Sequence, residues 1–160
     1  MTRFGELLRA LSAAKVDFIL LGGVAAAAHG SARATQDLDV VYRRGEGNFK
    51  NIVTALAPLQ PYLRGAPPGL PFRFDVETLT HGLNFTLTTS LGWIDLLGEI
   101  TGGGRFEDMV DHSIAVSVFD VECLILDLPT LIRTKRAAGR PKDLEALAEL
   151  EVIRDRLAEG

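Results

Sequence analysis

The sequence predicts an α/β or α+β domain with helices laid against a sheet, and three observations predict it. Residues 18–41 read as strand, tight turn, short helix and second strand, in the order Phe18-Ile19-Leu20-Leu21, Gly22-Gly23, an alanine run, then Asp37-Leu38-Asp39-Val40-Val41. Residues 83–88 and 93–97 alternate apolar and polar side chains around a Thr-Ser-Leu-Gly turn, the pattern of a hairpin. The chain then finishes in two helical stretches separated by Gly139.

Composition agrees with a globular protein. The 160 residues are 47% hydrophobic and 24% charged, enough for one domain, residues 1–160, to bury a core. A net charge of −4 argues against a surface that embraces nucleic acid as a whole, though not against a local basic cleft. The lone Cys123 sits in the apolar run VECLIL, which suits a buried thiol in a reducing cytoplasm. The start, MTRFGELLRAL, mixes charge into its apolar residues and does not read as a signal peptide. No apolar run approaches the roughly 20 residues of a membrane span, so no membrane partner is expected.

In chain order, a first helix is expected over residues 2–14, with Phe4, Leu7, Leu8 and Leu11 on one face. After the strand ending at Val41, Asn48 is the expected N-cap of a helix carrying Phe49, Ile52, Val53 and Leu56. Residues 57–71 hold Pro58, Pro61, Pro67, Pro68 and Pro71, so this is a loop and no central strand. A loop of about 15 residues is either a surface excursion or a cover for an active site. A short helix is expected near residues 75–79, then the hairpin. Gly102-Gly103-Gly104 lacks the Lys-Ser/Thr of a phosphate loop and reads as a turn. A short helix over residues 106–112 is followed by strands at residues 114–119 and 121–126, the last at the sheet's edge. Asp127 caps the next helix, which runs to Ala138, and Arg140-Pro141 opens the final one.

The chemistry concentrates in residues 37–39. Asp37 and Asp39 share one face of a strand, roughly 7 Å apart, and at an effective dielectric of about 20 they repel by roughly 2 kcal/mol. Aspartate is also a poor strand former, so the sheet itself gives no reason for either. A divalent cation would turn the repulsion into attraction, and Mg²⁺ commonly takes one or two carboxylates and completes its shell with water and phosphate oxygens. The glycine pair lets backbone approach a ligand, and the helix start after it presents N–H groups to an anion. Asp95, midway along the apolar strand of residues 93–97, needs a partner. An arginine or backbone amide would supply an ordinary one; a shared metal would supply a functional one. His29, His81 and His112 have no metal-ligand spacing.

Gly22-Gly23 followed by Arg33-x-Thr35-x-Asp37-x-Asp39 resembles the signature of the polymerase-beta-like nucleotidyltransferase superfamily, and is especially similar to the small AbiEii-like branch of bacterial toxin–antitoxin systems. Gly23 stands where many members carry Ser, which removes one hydroxyl contact to phosphate; the AbiEii-like branch often shows the same Gly-Gly. Asp95 resembles the family's third carboxylate, and Lys135 with Arg140-Pro141-Lys142-Asp143-Leu144 is similar to a late Lys…Arg…Lys-Asp motif. The resemblance spans nearly the whole chain. It implies a mixed sheet of about five strands with helices on one side and a C-terminal helical pair.

The same resemblance implies nucleotidyl transfer from an NTP, with Asp37, Asp39 and Asp95 as catalytic residues and ligands of two Mg²⁺ (or Mn²⁺) ions. Gly22, Gly23, Arg33, Thr35 and Lys135 are the implied nucleotide-binding residues. Lys135 belongs to a cationic group with Arg133, Arg136, Arg140 and Lys142 that a solvated helix end also accounts for. Arg33 either pairs with Asp95 or touches phosphate. Three functions fit: a toxin enzyme with a cognate antitoxin and tRNA or protein as acceptor, an enzyme acting on a small molecule, and a nucleotide- or partner-binding module without turnover. The acidic net charge does not favour tRNA.

Overall fold

The structure, a computed structural model, describes residues 1–159. Helix α1 (Phe4–Ala13) leads into strand β1 (Phe18–Leu21), short helix α2 (Gly22–Ala28) and strand β2 (Asp37–Tyr42). Helix α3 (Glu46–Leu56), the two-residue strand β3 (Tyr62–Leu63) and helix α4 (Val76–His81) precede the hairpin of β4 (Asn84–Thr89) and β5 (Gly92–Leu97). A short helix α5 (Phe106–Met109), a second hairpin of β6 (Ser113–Val118) and β7 (Val121–Leu126), and helices α6 (Leu128–Ala138) and α7 (Pro141–Glu159) complete the chain.

All seven strands form one sheet in the order β3-β4-β5-β2-β1-β7-β6. The pairs β2/β5 and β1/β7 are parallel and the other four antiparallel, so the sheet is mixed. Seven strands exceed the five expected. One of the additions, β3, lies within the proline-rich segment, where two residues pair with β4 on the sheet's outer edge. Proline tolerates that position because an edge strand need donate on one side only. The strand expected at the edge, β7, lies inside the sheet, between β1 and β6. Its parallel pairing with β1 (Ile19 with Leu124) joins segments about a hundred residues apart, which local pattern does not reveal.

One connected apolar core runs through the molecule. Leu7, Leu8 and Leu11 of α1 and Ile52 and Leu56 of α3 are fully buried, as their helical spacing requires. Two helix starts differ from expectation because polar side chains are drawn elsewhere. Thr2 lies outside α1: its hydroxyl donates to the carbonyl of Gln36 and accepts from the Trp93 amide, tying the N-terminus to β5. Asn48 lies inside α3, buried, bonding Asp17 N and O and Arg43 O, and so fastens α3 to the ends of β1 and β2. Asp127 caps α6 through the Thr130 amide at 2.9 Å, and Gly139 ends it at φ +65°. The helices form two contacting groups, α1 with α3 and α4, and α2 with α6 and α7. Among the described residues, no helix is long and apolar enough to cross a membrane.

Candidate active site

Period-two alternation along β2 sends Leu38 and Val40 to one face, where both are fully buried, and Asp37 and Asp39 to the other. Parallel pairing sets Asp39 opposite Asp95 and Asp37 opposite Trp93. Residues in register on neighbouring strands share a face, so Asp95 joins the other two carboxylates. One oxygen from each of the three lies within 4.8 Å of the others. They open into a cavity of about 810 Å³ that every predicted site residue borders: Gly22, Gly23, Arg33, Thr35, Asp37, Asp39, Asp95 and Lys135.

The glycine pair has a local reason visible in the packing. Leu21 pairs with Asp39 across β1/β2, so Gly22 begins α2 directly beside that carboxylate. A Cβ on Gly22 would overlap the Asp39 carboxylate, and its φ of +65° suits glycine in any case. A Cβ on Gly23 would stand 2.5 Å from Thr35 Cβ. Thr35 in turn turns its hydroxyl toward the Asp37 carbonyl at 3.4 Å. The pair therefore makes room for Asp39 and Thr35 as well as for a ligand.

Burial, then the charges of Asp95 and Asp37, push the Asp39 carboxyl up from 3.8 to about 8, with Lys135 pulling it partly back. The cation beside Asp95 belongs to Arg64, a residue the sequence reading passed over, and not to Arg33. Arg64 Nη2 lies 2.9 Å from Asp95 Oδ1, and Nη1 lies 3.5 Å from Asp37 Oδ2. Nη2 donates to the carbonyls of Leu87 at 2.8 Å and Ile94 at 3.4 Å, while the guanidinium lies over the Trp93 ring at 4.7 Å. The approach to Asp95 is a charge contact without hydrogen-bond alignment: Asp95 Oδ1 is buried and has no hydrogen-bond donor among the described residues. Arg33 instead reaches Glu145 on α7 at 3.5 Å, and both side chains are exposed.

At the far side of the cavity, Lys135 near the end of α6 and Arg140 flank Asp143, at 3.5 and 2.6 Å. Asp143 is 1% exposed. Burial alone would raise its pKa, but the hydrogen bond and charge of Arg140, then the charge of Lys135, hold it below the ordinary carboxylate value. Lys142 is exposed. Gly102 packs against α6 and Gly103 between α5 and α6, where added Cβ atoms would meet Ala137 and Met109 respectively, and Arg133 donates to the Gly102 carbonyl at 3.1 Å. The triple glycine is thus a packed turn against a helix.

A divalent cation fits these residues. Three oxygen donors of like charge lie close together, one of them buried without a donor, and hard cations such as Mg²⁺ or Mn²⁺ take such ligands. The histidines add nothing to the cluster: His29 Nε2 bonds the Leu126 carbonyl at 2.7 Å, and His81 bonds Glu77 O.

No protein-family model matches the sequence, and no curated protein matches it. Among solved structures, the chain is similar to a protein of Thermotoga maritima described as a "putative nucleotidyltransferase (TM1012)". The TM-score is 0.53 at 14% identity, over 100% of this chain and 97% of that one. At that identity the likeness is one of fold: the chain has a nucleotidyltransferase-like fold, with a mixed seven-stranded sheet.

Proposed function

We propose that residues 1–160 are a single minimal nucleotidyltransferase domain that moves a nucleoside monophosphate from an NTP to an acceptor hydroxyl with a divalent metal. The observation that carries this reading is the convergence of Asp37, Asp39 and Asp95 at one end of a large cavity. The bound cation, Mg²⁺ or Mn²⁺, would supply charge neutralisation at the α-phosphate and at the departing pyrophosphate. Asp37, Asp39 and Asp95 would hold it. Asp95 also orients the acceptor hydroxyl and takes its proton as the oxygen bonds to the α-phosphorus and the bond to pyrophosphate breaks. Lys135 and Arg140 face one carboxylate, Asp143, and leave a net positive charge where the triphosphate's distal charge would lie. Gly22, Gly23 and Thr35 border the same space, and Arg33 guards its rim from the loop before β2.

The motif order Gly22-Gly23, Asp37-x-Asp39, Asp95 and Lys135…Arg140…Lys142-Asp143 supports placement in the AbiEii-like, toxin–antitoxin branch, acting in the cytoplasm with a cognate antitoxin. RNA, protein and small molecules remain the acceptor classes to separate. The test is incubation of the purified chain with each α-labelled NTP, Mg²⁺, and total cellular RNA or protein. Label should appear on one class with one preferred base, and Asp39→Ala should abolish it.

A second reading has its own support. Arg64 already partners Asp37 and Asp95, as expected of acids retained for packing in a nucleotide- or partner-binding module without turnover. An NTP-dependent rise in melting temperature with no label transfer to any acceptor would favour it.

A further inference from the structure

We infer that Arg64 takes the place of a second divalent ion at the carboxylate cluster, so that the nucleotide-free protein binds one ion. This inference rests on the metal-site reading of Asp37, Asp39 and Asp95. Three features of Arg64 carry it.

The first is position. The guanidinium spans two of the three acids, Asp37 at 3.5 Å and Asp95 at 2.9 Å, and among the described residues forms no ion pair with Asp39. It lies on the flank of the cluster shared by Asp37 and Asp95, and leaves Asp39 to a ligand. The second is fixity. Arg64 is only 17% exposed in its side chain, and backbone carbonyls of β4 and β5 accept from Nη2 while the Trp93 ring lies against it. Strand β3 pairs with β4 in register and delivers Arg64 at its end, where the Arg64 amide itself donates to Thr86 O at 3.0 Å. A long surface arginine would be swept aside by an incoming ion; one held at both backbone and guanidinium is not.

The third is charge. Ionised as metal ligands, the three carboxylates carry three negative charges, and Arg64 offsets one of them. Lys135 and Arg140 share Asp143 at the far side of the cavity, and the one positive charge they leave there forms no ion pair with the three carboxylates among the described residues. The remainder equals the charge of one divalent cation. A second cation beside a fixed guanidinium would meet repulsion in a partly buried setting where screening is weak. The donor geometry points the same way: Asp95 Oδ1 lies close to Arg64 yet accepts no hydrogen bond, so it keeps a lone pair for the single ion. Any further ion would need phosphate oxygens among its ligands, and would therefore come with the nucleotide.

The test is Mn²⁺ titration of the full chain without nucleotide, followed by electron paramagnetic resonance, for the native protein, Arg64→Gln and Arg64→Lys. Circular dichroism checks that each is folded. The native protein and Arg64→Lys should bind one Mn²⁺ with the spectrum of an isolated ion. Arg64→Gln should bind a second at least about tenfold more tightly than the native protein does, with the broadened spectrum of a spin-coupled pair. Two ions in the native protein, or one in a folded Arg64→Gln, would overturn the inference and leave the metal site standing. Should Arg64→Gln not fold, the native stoichiometry alone decides. No ion bound by any of the three would overturn the metal-site reading itself, and this inference with it.

Discussion

Asp143 and Asp39 both border the large cavity, yet their surroundings treat the same side chain in opposite ways. Asp143 is almost wholly buried, but Arg140 and Lys135 lie against it and the Arg140 amide donates to it at 3.2 Å. Its charge is answered within the protein, and its pKa is held down. Asp39 meets two more carboxylates in place of a cation, and its pKa is pushed up to about 8. The first arrangement is complete and fastens α6 to α7; the second is completed by something from outside. Burial does not separate a structural acid from a functional one here. What separates them is whether the neighbours already cancel the charge.

Exchanging the two acids for neutral residues should therefore break different things. Asp39→Asn should lower label transfer by roughly 10³-fold, the several kcal/mol a catalytic metal supplies, while the metal-free protein melts no lower than the native one. Quantified transfer rates beside calorimetry check both halves. Asp143→Ala should instead strand two cations and cost about 3 kcal/mol of stability, a Tm loss of roughly 6–12 °C for a chain of this size. Equal Tm losses in the two variants would erase the distinction.

Their pH dependences should also run in opposite directions. Asp39 keeps its proton up to about 8 in the folded state but releases it near 3.8 when unfolded. The folded state binds more protons across that window, so metal-free stability from this group falls as pH rises from 4 to 8. Asp143, with a lowered pKa, contributes stability that is present above 3.8 and is lost as pH falls through its folded value. Urea unfolding of native protein, Asp39→Asn and Asp143→Asn between pH 3 and 9 reads both slopes. Because Asp39 must lose its proton to ligate, Mg²⁺ should raise Tm more at pH 8 than at pH 6.

A smaller effect is expected one step away from the acids. Gly22→Ala would press a methyl group on the Asp39 carboxylate at a positive φ, an overpacking cost of about 1–3 kcal/mol. Metal affinity should fall with it, as isothermal titration would show, whereas an alanine at Gly47, which has open space around it, should leave affinity unchanged.

What the sequence made legible follows from the range of the interactions involved. The alternation in residues 37–41 placed Asp37 and Asp39 on one face, and the turn at residues 89–92 gave the β4/β5 hairpin. Both are local. The meeting of Asp39 with Asp95 is a register between parallel strands 56 residues apart, and only the family resemblance anticipated it. Arg64 was hidden because its neighbourhood of prolines reads as loop, while its partners lie on three other strands. The signal available was a single arginine between Tyr62-Leu63 and the glycine at 65, a charged residue at the end of a short apolar pair. Arg33, weighed as a partner of Asp95, is near Asp37 in sequence, but α7 presents Glu145 to it while it stays at the cavity rim.

Anomalous diffraction from crystals soaked in Mn²⁺ tests the central claim most directly. The account predicts a peak bounded by the carboxylates of Asp37, Asp39 and Asp95, absent from Asp39→Asn crystals. Ordered Mn²⁺ elsewhere with none among these three side chains, or Arg64 and a water filling that space at saturating metal, would contradict it.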